Sequence, residues 1–274
     1  LPAKLKKNLK LVEELKDQKI EVINAGVGGY KSKQELLYFL SELTKYKPNL
    51  VIFYNGWNDA QYAKEFFEST LAESITNTHL INNKILNENY ELFGVYKRAT
   101  YLSINKISNF LSGTGFGQIL IRLSQSFAKE IDDPINHEEF REAAKSHISN
   151  MRNASSFAKN SNIKFAFFLQ PLIGIDNRRP FDEVENNLLQ SRDLSVRKMY
   201  YQTIRPMVSK LKENIEEKGV SCINDISSSS FKEANERIYE DSGHLLGAGN
   251  DYVAKQIVKE LRDCKLLVSA KKFE

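Results

Sequence analysis

The chain has 274 residues, 41% of them hydrophobic and 11% aromatic, enough for one substantial core or for one domain with a large insertion. Its 39 basic and 35 acidic residues leave a formal charge of +4 spread along the sequence, so no basic block argues for a nucleic-acid partner. No apolar run approaches the roughly 18 to 20 residues that cross a bilayer.

Residues 2–17 read as a helix with Leu5, Leu9, Val12 and Leu15 on one stripe and lysines elsewhere. Ile20 to Asn24 then read as a short buried strand that ends in the glycine turn Ala25-Gly-Val-Gly-Gly-Tyr30. Ser32 with Glu35 gives a capping box for the next helix, whose apolar face is Leu36, Phe39, Leu40 and Leu43, and Pro48 stops it. The run Leu50 to Tyr54 is a strand apolar on both faces, and it ends abruptly in Asn55-Gly-Trp-Asn-Asp59. Helix, strand, helix, strand in that order predicts parallel strands joined by right-handed crossovers.

About a hundred residues separate Asp59 from the next convincing strand, Ile163 to Leu169, whereas a crossover needs only a dozen or more. Asn136 and Glu139 make a second capping box, and the helix after it, with Phe140, Ala143, Ala144, Ile148, Met151, Ala154, Phe157 and Ala158 apolar, is the natural crossover. Residues 60–133 are therefore a helical insertion, with apolar stripes at 101–110 and 116–127, placed to act as a lid because it leaves from the end of a strand. Beyond Leu169 come a polar loop with Arg178 and Arg179 as a solvated face, a long helix over 193–217, a strand from Val220 to Ile223, and the polar run 239–250. A final helix carries Val253, Ile257 and Leu261.

Parallel strands deliver their carboxyl ends to one edge of a sheet, so the glycine turn, Asn-Gly-Trp-Asn-Asp and Asp241-Ser-Gly-His244 are expected to converge there. An Asp three residues before a His on a loop can hold the imidazole through Nδ1 and leave Nε2 to take a proton from a hydroxyl. His79, His137 and His147 have no Cys, His or carboxylate at ligand spacing and read as surface residues, so no metal is expected. Cys222 and Cys264 allow at most one disulfide and read more simply as partly buried free thiols. The glycine turn is a poor dinucleotide fingerprint, since its third glycine would fall on Lys31, and no cofactor is expected.

Taken together, Asn24-Ala-Gly-Val-Gly-Gly29, Gly56-Trp-Asn58-Asp59 and Asp241-Ser-Gly-His244 resemble three of the sequence blocks of the SGNH (GDSL-like) hydrolases, with Gln34-Glu35 and Gly249-Asn250 in keeping. The resemblance implies a three-layer, flavodoxin-like α/β fold with a parallel sheet ordered 2-1-3-4-5. It also implies an oxyanion hole from the Gly29 N–H and the Asn58 amide, with His244 as general base and Asp241 orienting it. The family's first block, the Gly-x-Ser segment carrying the nucleophile, is absent. Ser242 is too close to His244 in sequence to face Nε2, and Ser32 caps a helix. The chain opens at Leu1 without an initiator methionine, and residues 2–17 match the helix that follows the family's first block, so the serine and its strand are expected upstream, and the 274 residues alone are expected to be poorly folded and inactive.

On this reading the chain is a single SGNH-type domain, 1–274, lacking its first strand: a serine esterase or acyl hydrolase acting on a small-molecule or glycan ester, acylated carbohydrate being one class. Membrane anchoring by the missing N-terminal part is compatible with it, and a bacterial cell envelope fits it better than cytoplasm. The alternative is a non-catalytic module that binds a glycan or a protein in the same cleft, and the residue at the upstream serine position distinguishes the two.

Overall fold

The structure, a computed structural model, describes residues 1–61, 137–175, 180–190, 192–228 and 231–267. The chain separates into two compact units, one formed by Leu1–Gln61 with Arg141–Glu274 and the other by Tyr62–Phe140. The stripes expected at 101–110 and 116–127, the suggested lid, His79, Asn136, Arg178 and Arg179 all lie outside the described residues.

The first unit is a mixed α/β fold on a three-stranded parallel sheet. Strands β1 (Leu50–Asn55), β2 (Lys164–Leu169) and β3 (Ser221–Asp225) lie in the order β1-β2-β3, with Leu50 opposite Lys164, Asn55 opposite Leu169, and Leu169 opposite Asp225. The helices are α1 (Pro2–Leu9), α2 (Ser32–Ser41), α3 (Trp57–Gln61), α4 (His137–Asn160), α5 (Glu183–Leu188), α6 (Arg192–Ile215) and α7 (Gly247–Asp263). Strand β2 is central because Phe165 to Leu169 is continuously apolar and can bury both faces, and all five residues are buried. Phe39 of α2 packs edge-on against Phe53 of β1 and Phe157 of α4, with ring centroids 5.8 and 5.6 Å apart, and Phe53 meets Phe165 at 5.7 Å. Such aromatic pairs add about 0.5–1.5 kcal/mol each beyond the area they bury, which fixes α2 and α4 beside the sheet.

Four expectations need correction. Ile20 to Asn24 forms no strand: none of the described strands pairs with it, and Ile23 is 51% exposed. A β segment is stabilised by its ladder partner, and none of the described strands supplies one here. The helix expected over 2–17 stops at Leu9 and continues as tighter turns, Leu11 N to Asn8 O, Val12 N to Leu9 O and a 3₁₀ turn at Glu13–Leu15. The Asn8 amide bonds back to Lys4 O, the local competition that disfavours Asn in helix interiors, while Leu5, Leu9 and Val12 stay buried.

Helix α2 begins after Lys31, whose N–H is accepted by Gln34 Oε1 at 3.0 Å. Ser32 is its first residue instead of its cap, and Glu35 is engaged elsewhere. Finally, Cys222 and Cys264 are joined in a disulfide, with Cα atoms 5.6 Å apart, because β3 runs beside the end of α7.

Candidate functional site

The carboxyl end of β1 gathers the glycine turn to it. Asn58 donates one amide N–H to Tyr30 O at 2.9 Å, and the Asp59 carboxylate accepts from Ser32 N at 3.1 and 3.2 Å and from Ser32 Oγ at 2.6 Å. Asp59 therefore satisfies a first-turn amide of α2 that a helix cannot satisfy itself. An amide nitrogen carries two hydrogens, so Asn58 keeps one for a ligand after binding Tyr30. Gly29, next to Tyr30, has φ +80°, a left-handed conformation that costs glycine little, and its N–H has no partner among the described residues.

The second part of the site is the loop between β3 and α7. Asp241 Oδ1 accepts from Gly243 N at 2.8 Å and His244 N at 2.7 Å, while Oδ2 lies 2.7 Å from Nδ1 of His244. Partial burial raises the pKa of Asp241, but these three donors outweigh it and hold the carboxyl below its usual range. Among the described residues no hydroxyl hydrogen-bonds Nε2, and the imidazole side chain is 62% exposed. The loop is closed by Tyr239 bridging Leu245, by Glu240 N to His244 O at 2.9 Å and by Leu246 N to Ile238 O at 2.8 Å. Ser242 is buried, its carbonyl accepting from Ile173 N at 3.4 Å.

The two parts meet at Trp57. Its indole lies 4.9 Å from the imidazole of His244, centroid to centroid, and Trp57 precedes Asn58. Asn58, the turn carrying Gly29, and His244 are thus neighbours, each tied to residues 56–59.

Beneath them lies a buried polar network. His147, expected at the surface, is 1% exposed: α4 presents it to the end of β1, with Nε2 2.9 Å from Asn55 Oδ1 and Nδ1 2.9 Å from the Tyr200 hydroxyl. Asn55 uses its Nδ2 to reach Glu35, so its Oδ1 accepts the Nε2 proton of His147, and Nδ1 is left to accept from Tyr200. Burial lowers the imidazole's pKa more than Asp59, 3.9 Å away, raises it, in agreement with that neutral tautomer. Burial pushes Glu35 up to about 8, assisted by Asp59 and opposed by the bond from Asn55, so at neutral pH it is largely uncharged. A second anchor is Glu185, wholly buried, whose Oε1 accepts from Ile238 N at 2.8 Å and Tyr239 N at 3.1 Å. Its Oε2 meets Asp182 N at 3.3 Å and Asp182 Oδ1 accepts from Glu185 N at 2.8 Å, a capping box readable as Asp-x-x-Glu.

No family model, no curated protein and no solved structure matches the chain. The arrangement must be judged on its chemistry. It offers an imidazole held by a carboxylate, an N–H and a side-chain amide with hydrogens to give, and no described cluster of free metal ligands: the grouping of Glu216, Cys222 and Cys264 contains the disulfide.

Proposed function

We propose that the chain is the greater part of an SGNH-type serine esterase or acyl hydrolase. In this reading the nucleophilic serine comes from a segment upstream of Leu1, which adds a strand between 20–24 and β1 and gives the flavodoxin-like order 2-1-3-4-5. The observation that carries the proposal is the His244–Asp241 pair, with Nδ1 held at 2.7 Å and the largely exposed imidazole against Trp57, the residue before Asn58. The serine attacks the ester carbonyl as Nε2 takes its proton. The Gly29 N–H and the remaining Asn58 N–H then stabilise the oxyanion, His244 returns the proton to the departing alcohol, and water hydrolyses the acyl-enzyme by the same steps. No cofactor enters this cycle. The substrate is a small-molecule or glycan ester, with acylated carbohydrate as the first class to test.

The segment 20–24, which has no ladder among the described residues, and the edge of β1 away from β2 support the added strand. The test is hydrolysis of p-nitrophenyl acetate and of an acetylated oligosaccharide by protein extended upstream. Turnover that disappears when the upstream serine is replaced by alanine is expected. A folded, extended protein that binds the oligosaccharide without hydrolysing either ester would instead favour a binding module.

A further inference from the structure

The indole of Trp57 is packed in a way that nothing in the hydrolytic scheme requires. On one face lies the guanidinium of Arg197, its Cζ 3.6 Å from the ring, and the same side chain donates from Nη1 to the Trp57 carbonyl at 2.8 Å. Arg197 comes from α6 and is only 2% exposed, so this cation is desolvated where it meets the ring, the condition under which a cation–π contact is strongest. The ring also lies against Gly243 and His244. A Cβ built on Gly243 would stand 1.8 Å from Nε1 and 1.9 Å from Cδ1, so the indole occupies the space that any other residue at 243 would need. Trp57 Nε1 is buried with no hydrogen-bond partner among the described residues. A buried indole N–H normally finds one, so shape and the cation hold this ring in place at the expense of an unmade bond.

We infer that Trp57, clamped by Arg197, is a positioning residue for His244: it fixes the plane of the imidazole while Asp241 fixes its Nδ1. This rests on His244 being the general base. Asp241 alone grips one edge of the ring, and with 62% of the side chain exposed it leaves rotation about that hydrogen bond open. The indole at 4.9 Å and 60° closes that freedom and settles where Nε2 points. The device spans three elements, since Arg197 is on α6, Trp57 opens α3 and His244 precedes α7.

Trp57 is the single tryptophan of the 274 residues, so its emission reads the contact directly. Tryptophan emission is recorded for the protein extended upstream and for its His244→Gln and His147→Gln variants, because a histidine in ring contact quenches an indole. Higher emission in His244→Gln, and unchanged emission in His147→Gln, is expected, with circular dichroism showing both variants folded. Equal emission in the folded His244→Gln protein overturns the contact, whatever the protein's activity.

In the extended enzyme, Trp57→Ala is expected to lower kcat about a hundredfold with little change in KM, and Trp57→Phe to recover most of it. A Trp57→Ala enzyme with unchanged kcat and pH profile overturns the positioning role while leaving the esterase reading intact. Absence of all turnover in the extended wild type, with the emission difference present, sinks the esterase reading and not the contact.

Discussion

Around His244 the backbone is closed by its own hydrogen bonds, from Leu246 N to Ile238 O through Glu240 N to His244 O and the two amides on Asp241. Between Lys19 and Gly29 the one amide with a partner among the described residues is Gly26 N, 3.3 Å from Asn24 Oδ1. Both stretches follow the same logic of a polar turn at the edge of a sheet, yet one has a set of bonds of its own, to which Glu185 and Ile173 add from outside, and the other is held chiefly from outside, by Asn58 on Tyr30 and Asp59 on Ser32. A loop that stores its geometry in local bonds keeps it whatever stands beside it. A segment whose backbone groups wait for a ladder takes its geometry from a neighbouring strand.

The sharpest way to break this comparison is to remove the base. In the extended enzyme His244→Ala is expected to cost about 10⁴-fold in kcat, measured on p-nitrophenyl acetate, and equal activity would remove His244 from the reaction.

The next lever is the disulfide, which closes a loop of sequence separation 42 containing both Asp241 and His244. Replacing both cysteines by serine is expected to lower stability by about 4 kcal/mol in urea unfolding, chiefly by freeing the unfolded chain. A far smaller loss would mean that the local bonds and Glu185 hold the loop without the covalent tie.

On the other side, Asn58→Ala should reduce kcat about a hundredfold, as loss of one oxyanion donor does, and it also releases Tyr30. Amide exchange at 25–30 that accelerates in this variant while exchange at 239–246 does not would sharpen the contrast.

The smallest expected effect is on pH dependence. Glu35 ordinarily titrates at 4.5 and here at about 8, so between those values the unfolded chain has released its proton and the folded chain has not. Stability from this group is therefore present below pH 4.5 and lost as pH rises through 8. Because Glu35 keeps some solvent contact, the loss is on the order of 2 kcal/mol, less than the full shift would give. Glu35→Gln should flatten it, with the largest gain in melting temperature near pH 9, and a parallel pH curve in the variant would contradict the assignment. His147 acts in the opposite direction. Its lowered value makes stability fall as pH drops below 6.5.

The sheet was legible because Leu50 to Tyr54 and Ile163 to Leu169 are apolar on both faces, and the observed bounds differ by a residue. Asp241 and His244 were legible because their contact is local, three residues apart. Ile20 to Asn24 has equally strand-like residues, but pairing is a property of two segments and periodicity reads one. His147 was legible and missed: Ala143, Ala144 and Met151, three and four residues away, put it on the buried stripe of α4, and what the sequence did not show is that Asn55 and Tyr200, 92 and 53 residues away, supply its hydrogen bonds. Arg197 shares the buried stripe of α6 with Leu194, Tyr200, Tyr201 and Ile204, and the indole and carbonyl of Trp57 that it meets there, 140 residues away, could not be read from periodicity.

The most direct test of the proposed chemistry is covalent labelling of the extended protein by a serine-directed fluorophosphonate, read by peptide mass spectrometry. One adduct is expected, on a serine preceding Leu1, formed at least a hundredfold more slowly in His244→Ala. An adduct on a serine within residues 1–274, or equal labelling in the folded His244→Ala protein, would contradict it.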